Sequence, residues 1–316
     1  MTHSIGVDIG GTNLRAAVVE ADGTIHEVHR QRVQDRSVDG LAKSVRAAVD
    51  SLGSEGSTGA VGVGIAGSVR AEEGVVAVAP QLGWREAPFG AALQRELGRP
   101  VRLVNDLSAI CYGEAKVGAG RGSSEVTCLF VGTGVGVGVV THGRLLEGEH
   151  GLATEFGHVR VELSADARQC NCGMRGCIEA YLGGTHLPAR LREVARDSKI
   201  VSPLIDRDDL NSSVIESHAV NGDPAATALW ADCAVKLAWA IGALIMTFNP
   251  KVLVLGGGVL GTAPSLIARA EAHLPHFAWE SFRDTVSVCT SALGDDAGIL
   301  GAALLARDEH SKHECG

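Results

Sequence analysis

One device that occurs twice limits what this chain can fold into: a short apolar run, a turn rich in glycine with one threonine, and a second apolar run. In the first copy Ser4-Ile-Gly-Val-Asp8 ends at an acid, Gly10-Gly11-Thr12 follows, and Leu14 to Val19 returns. In the second copy Val126 to Val131 and Val135 to Val140 flank Gly132-Thr133-Gly134. Short apolar runs bounded by glycine read as strands, and turns this tight reverse the chain. Each copy is therefore a strand, a turn and a returning strand, as expected of two similarly built lobes.

Between and after the copies, helices alternate with strands. Leu41, Val45 and Val49 have helical spacing within Ser37 to Leu52, and Ala60 to Ile65 reads as a buried strand. Val101 to Val104 is a strand leading into a helix over Leu107 to Val117. Asp223 as N-cap and Pro224 at the first position start a long helix that Asn249-Pro250 stops after Phe248. Val252 to Leu255 is a strand into Gly256-Gly257-Gly258, Ala263 to His273 is helical, Val286 to Cys289 is strand-like, and Ala297 to Arg307 is a final helix broken by glycine. This alternation predicts an α/β fold.

The 316 residues are enough for two domains, each with its own core. A net charge of −9 and the lack of a Lys/Arg-rich run argue against nucleic acid as a partner, because that binding depends on cations neutralising phosphates. Met1 to Asp8 lacks the charged start and apolar core of a signal peptide, and Leu237 to Phe248 is too short to span a bilayer. A cytoplasmic protein without a membrane partner is the expectation. In a reducing compartment the eight cysteines are thiols or metal ligands rather than disulfides.

Three glycine clusters follow strands: Gly10-Gly11-Thr12 with the leading Asp8, Gly132-Thr133-Gly134, and Gly256-Gly257-Gly258. Successive backbone N–H groups in such turns form concave donors for phosphate oxygens, and threonine adds a hydroxyl. Singly each could be only a strand turn; together they point to a nucleoside triphosphate. Gly62 to Gly67 matches G-x-G-x-x-G but is followed by a poor helix former. Gly256 to Gly261 also matches, with strand, turn and helix in order, which keeps a nicotinamide-dependent oxidoreductase as a rival class. No P-loop pattern occurs.

His158, Cys170, Cys172 and Cys177 supply one imidazole and three thiolates, a set that suits tetrahedral zinc. Four protein ligands leave no position for an activated water, so such a zinc is structural. The tight Cys-x-Cys spacing requires the span from His158 to fold back. Asn105-Asp106 follows a strand directly, where an aspartate can either accept the proton of an attacking hydroxyl or simply cap the next helix. Glu155 and Glu179 flank the cysteine loop and could accept hydrogen bonds from vicinal hydroxyls.

In these residues the chain resembles the ROK group (repressor, open reading frame, kinase) of bacterial sugar kinases and related repressors. The resemblance covers almost the whole chain, through Asp8-Ile-Gly-Gly-Thr12, Val104-Asn-Asp106, Gly132-Thr-Gly134, Glu155-Phe-Gly-His158, Cys170 to Glu179, Gly256-Gly-Gly258 and Leu293 to Gly301. It implies an actin-like ATPase fold of the hexokinase type. The lobes would be a small one over 1–115, with a C-terminal helix over 300–316 packing back on it, and a large one over 116–299. It implies phosphorylation of a hexose hydroxyl by ATP with Mg²⁺ and a structural Zn²⁺, glucose to glucose 6-phosphate by default, in a homodimer or homotetramer.

By the same resemblance Asp106 is the general base, and Gly67, Asn105, Glu155, His158 and Glu179 lie on the sugar side. Asp8, Gly10, Gly11, Thr12 and Asn13 serve metal and phosphates, Gly132, Thr133 and Gly134 the phosphates, and Gly256, Gly257 and Gly258 the adenosine side. Gln81, Ser108 and Thr154 depart from the usual pattern near the sugar, which opens N-acetylmannosamine, another amino- or N-acyl-hexose, or fructose as acceptors. A sugar-responsive regulator of the same group would carry a helix-turn-helix ahead of the Asp8 turn, for which the sequence shows no room.

Overall fold

A computed structural model describes residues 3–53 and 59–314. The backbone falls into two compact units, one of residues 1–126, 138–154 and 291–316, the other of 127–137 and 155–290. The first unit holds strands β1 (His3–Ile9), β2 (Asn13–Glu20), β3 (Ile25–Arg32), β4 (Ala60–Ile65) and β8 (Val101–Asn105), and a small sheet of β5 (Ser68–Arg70), β6 (Val75–Ala79) and β7 (Trp84–Ala87). Its helices are α1 (Val38–Asp50), α2 (Phe89–Leu97), α3 (Asp106–Val117) and a terminal helix, Ala297–Glu314.

The main sheet of this unit runs β3-β2-β1-β4-β8. β1 and β2 are antiparallel with Asp8 opposite Arg15, whereas β1, β4 and β8 are parallel. Their register aligns Ile9, Ile65 and Asn105, so three parallel strands end at one level. That level is where open α/β sheets place ligands.

Alternation along β1 explains how both faces are filled. Ile5, Val7 and Ile9 point into a core with Leu41, Val45, Phe89 and Leu93, all fully buried. Ser4, Gly6 and Asp8 point to the other face. There a Cβ on Gly6 would lie 2.1 Å from the Ile299 carbonyl oxygen, and one on Gly62 would lie 1.9 Å from that of Ala302. The terminal helix can lie on this sheet only because those positions lack a side chain.

The helix expected to break at glycine is continuous over Ala297–Glu314. Gly301 approaches α3 so closely that a Cβ would sit 1.6 Å from the Ala109 carbonyl oxygen, so here glycine is a contact surface rather than a break.

The second sheet is ordered β11-β10-β9-β12-β13, from β9 (Val126–Val131), β10 (Val135–Thr141), β11 (Arg144–Leu145), β12 (Val252–Gly256) and β13 (Ser287–Thr290). It repeats the plan of the first: a strand and its hairpin partner on one side, a parallel pairing of β12 with β13 on the other. Around it lie α4 (Glu179–Leu182), α5 (Leu187–Asp197), α6 (Ser212–Val220), α7 (Pro224–Phe248), α8 (Gly258–Thr262) and α9 (Pro264–His273).

Asp223 caps α7 through Ala226 N at 2.9 Å, and Asn249 ends it in the left-handed region at φ 42°. At 25 residues α7 has its expected span, and with a mean hydropathy of 1.6 over its most apolar 18 residues it could, by length and composition alone, cross a membrane. It is instead a core helix: 61% of its most apolar window is buried. Leu229, Trp230, Leu237 and Leu244 are fully enclosed.

Candidate functional site

At the end of β1 the chain turns on a hydrogen bond from Gly10 N to the Asn13 carbonyl at 2.9 Å. Gly11 packs against Gln81: a Cβ there would lie 2.2 Å from its Oε1, so that side chain would have to move. Arg36 steadies the turn by donating to the Gly11 carbonyl at 3.0 Å. Asp8, Gly10, Gly11, Thr12 and Asn13 line a cavity of about 760 Å³ together with Arg15, Arg30, Gln31, Arg32 and Asp295. Asp8 Oδ2 pairs with Arg15 at 2.6 Å, and Oδ1 has no hydrogen-bond donor among the described residues. A carboxylate with one oxygen held and the other unpaired beside a glycine turn fits a hard cation such as Mg²⁺.

Two strands away, β8 ends in Asn105 and α3 begins at Asp106. Asn105 is the N-cap: its Oδ1 accepts from Ser108 N at 3.0 Å. Its Nδ2 donates to the Gly67 carbonyl at 2.9 Å and to Asp106 Oδ1 at 3.0 Å. Leu107 N also donates to Asp106 Oδ1, at 2.9 Å. The capping role open to Asp106 therefore belongs to Asn105, and Asp106 is held in the first turn by two donors that fix its orientation. Gly67 fits because a Cβ would lie 2.5 Å from the Val78 carbonyl oxygen.

In the second unit, Gly132 N donates to the Gly134 carbonyl at 2.9 Å, closing the turn between β9 and β10. The Glu179 carboxylate at the start of α4 reaches this turn: Oε2 accepts from Val135 N at 3.1 Å, and Gly134 leaves it room. Gly184 N donates to the Gly132 carbonyl at 2.8 Å, and Thr185 N to that of Thr133 at 3.2 Å. The turn after β12 lies alongside, with Gly257 at φ 90° and no room for a Cβ against Val131. Gly258 N lies 3.8 Å from where a Gly132 Cβ would be.

The segment after His158 folds back through backbone pairing of 159–161 with 176–178. Val161 N donates to the Gly176 carbonyl at 2.8 Å and Ile178 N to that of Val159 at 3.0 Å. Gly173 and Gly176, at φ 94° and 82°, allow the tight reversal between the cysteines. As a result one ligand atom each from His158, Cys170, Cys172 and Cys177 lies within 4.8 Å of the others. Cys170 Sγ is 3.8 Å from His158 Nδ1 and 3.6 Å from Glu179 Oε1, and Cys172 and Cys177 sulfurs are 3.7 Å apart. Burial pushes the Cys170 and Cys177 thiols up from their usual range. Three sulfurs and one imidazole at these separations fit a tetrahedral zinc.

Glu155 is exposed and opens the short turn Phe156–His158, its carbonyl accepting from His158 N at 3.1 Å. The seven cysteines among the described residues are all free, and Cys315 lies outside them.

The expected residues thus form two groups in the first unit, around Gly10–Thr12 and around Asn105, and one connected network in the second. Sequence reading missed Arg15, Arg30, Gln31, Arg32 and Asp295. Arg15 sits within an apolar run where it reads as the solvent-facing partner of Leu14 and Ala16. β3 has no apolar run at all. The glycine match at 256–261 does not support a dinucleotide site: α8 spans only Gly258–Thr262 before Ala263-Pro264, too short for the helix that such a site uses.

Two glycine hairpins, each on a sheet with parallel strands beyond it, define the actin-like ATPase class of sugar kinase folds. The chain belongs to the ROK family, which it matches over residues 4–309. A glucokinase of Thermotoga maritima is 34% identical over 309 residues, 96% of this chain and 97% of that one. Among solved structures, a ROK hexokinase of Thermus thermophilus superposes with a TM-score of 0.83 at 28% identity, covering 98% of this chain and 99% of that one. A ROK glucokinase of Streptomyces griseus, in complex with glucose and AMPPNP, gives 0.78 at 31% identity over 97% and 99%.

Proposed function

We propose that this chain transfers the γ-phosphoryl group of ATP to a hydroxyl of a hexose, with glucose as the first acceptor. The observation that carries the reading is the register of the first sheet. The ends of its parallel strands carry both the Gly10–Thr12 turn and the Asn105–Asp106 pair, so a phosphate grip and an oriented carboxylate lie at one level. Full-length likeness to a glucokinase, and a fold shared with one that holds glucose and AMPPNP, support the same chemistry.

In this reading Asp106 takes the proton of the attacking hydroxyl, and Asn105 and the Gly67 backbone orient the sugar. Glu155, Glu179 and the His158 ring nitrogen not turned to Cys170 receive further hydroxyls. The amides of Gly10 to Asn13 and of Gly132 to Gly134 hold phosphate oxygens, and Gly256 to Gly258 give the adenosine a surface without side chains. Asp8 would hold a Mg²⁺, which would supply neutralisation of the phosphate charge. His158, Cys170, Cys172 and Cys177 would hold a Zn²⁺, which would fix the His158 ring and the loop that carries Glu179. Catalysis then consists mainly of positioning and charge stabilisation.

A cytoplasmic homodimer or homotetramer belongs to the same proposal on the strength of the family, and light scattering measures the assembly. The reaction itself is tested by ADP release over a panel of glucose, N-acetylmannosamine and fructose. Release that depends on glucose supports the reading, and release that is independent of any sugar contradicts it.

A further inference from the structure

α3 carries a second acid that the reaction above does not use. Glu114 is fully buried, about two turns after Asp106 on the same helix, and makes no ion pair among the described residues. A buried carboxylate without a cation is costly unless hydrogen bonds satisfy it. Here four donors do so. Oε1 accepts from Ser291 Oγ at 2.5 Å, Ala292 N at 3.0 Å and Leu293 N at 3.1 Å, and Oε2 accepts from Ala119 N at 2.8 Å.

Three of these donors belong to one short stretch, the start of the terminal segment 291–316 of this unit. A clamp there has a plain structural use, which is to hold the terminal helix. That helix is seated independently, by the contact of Gly301 with Ala109 and by Gly113, where a Cβ would lie 2.9 Å from the Ala297 carbonyl oxygen. Between the clamp and the helix lies the turn Gly294–Asp296, and this turn reaches the phosphate site. Asp295 lines the cavity, and its carbonyl accepts from Arg15 Nη2 at 2.5 Å. The Asp296 carboxylate stands 3.7 Å from Arg15 Nη1, and Arg15 in turn holds Asp8 at 2.6 Å.

A line of contacts thus runs from Glu114 through 291–296 and Arg15 to Asp8 at the phosphate turn. In the other direction, roughly 12 Å back along the rigid helix, stands Asp106. Groups that act together on one reaction must keep their places to within about 0.5 Å, and a shared helix is a suitable ruler. We propose that Glu114 is a positioning residue for phosphoryl transfer, which sets Arg15, and through it Asp8, at a fixed place relative to Asp106. The proposal rests on the kinase reading above.

The test is a double-mutant cycle between Glu114→Gln and Arg15→Gln in the full chain. It is read in kcat/KM for ATP with glucose as acceptor, in the affinity for AMPPNP with Mg²⁺, and in the urea midpoint. Glutamine keeps the shape but puts an amide donor where a backbone donor needs an acceptor. Glu114→Gln alone should lower kcat/KM for ATP about tenfold or more, weaken AMPPNP binding in step, and leave the KM for glucose within about twofold. In the Arg15→Gln background the same change should cost less than about threefold, because the path to Asp8 is already cut. Ser291→Ala removes a single donor and decides the matter if the glutamine variant does not fold. It should lower kcat/KM about two- to fivefold, and only where Arg15 is present.

Equal losses in the two backgrounds overturn the positioning role and leave the kinase reading intact. So does a lowered urea midpoint with kcat/KM and AMPPNP affinity unchanged. Wild type without glucose-dependent ADP release overturns both.

Discussion

Asn105 makes three contacts at once, to Gly67, Asp106 and Ser108 N, so its replacement acts on stability and activity together. Asn105→Ala removes an N-cap, with an expected loss of roughly 0.5–2 kcal/mol in denaturant unfolding, and releases the Asp106 carboxylate from one of its donors. Activity should therefore fall further than stability explains. An unaltered kcat would mean that Asp106 needs no such restraint. At the cysteine loop, Cys172→Ser leaves three ligands of four, and metal analysis should show zinc lost with a raised KM for sugar. An unchanged metal content would contradict the site.

His186 is a histidine whose protonation the fold opposes. Burial lowers its pKa from the usual 6.5, and its Nε2 is buried without a hydrogen-bond partner among the described residues. The unfolded chain then takes up this proton at higher pH than the folded one, so stability is lost as the pH falls below about 6.5. His186→Gln should flatten the decline in urea midpoint between about pH 7 and 5. Parallel declines would show that other groups govern it.

Among the elements, the terminal helix depends on glycine at its contacts. Gly301→Val would drive a side chain into the Ala109 carbonyl and should cost at least about 1–3 kcal/mol. Gly261→Ala, where nothing lies within 4 Å, should be neutral or stabilising in the same melt. Equal effects would mean that the close packing is not specific.

The same contrast shows what the sequence could reveal. Strands and helices with one strong apolar pattern were legible: both hairpins, β4, β8, α1 and α7 fall within a few residues of their expected spans. The Asp8, Asn105 and cysteine motifs were legible because their residue types are chemically narrow. β3 was not, because Ile25–Arg32 is a polar edge strand whose alternation carries no apolar signal. Arg30 and Arg32 on that strand, which line the phosphate cavity, escaped with it. The role of Gly301 was equally hidden, since a glycine that admits a neighbouring helix and one that ends its own helix look alike in one dimension.

For the whole molecule, both units repeat one sheet plan, a glycine hairpin beside parallel strands, and the functional claim rests on the register of the first of them. A ligand that binds only the folded chain must stabilise it, by about 2.7 kcal/mol at a hundred times its Kd. Glucose should therefore raise the melting temperature, and a hexose analogue that does not bind should leave it unchanged. The most direct measurement pairs turnover with binding in Asp106→Asn. Glucose-dependent ADP release should fall by roughly 10²–10⁴-fold while calorimetry still detects glucose at near wild-type affinity. Full turnover in that variant would contradict the assignment of Asp106 as the base, and with it the account of how this chain moves a phosphoryl group to a sugar.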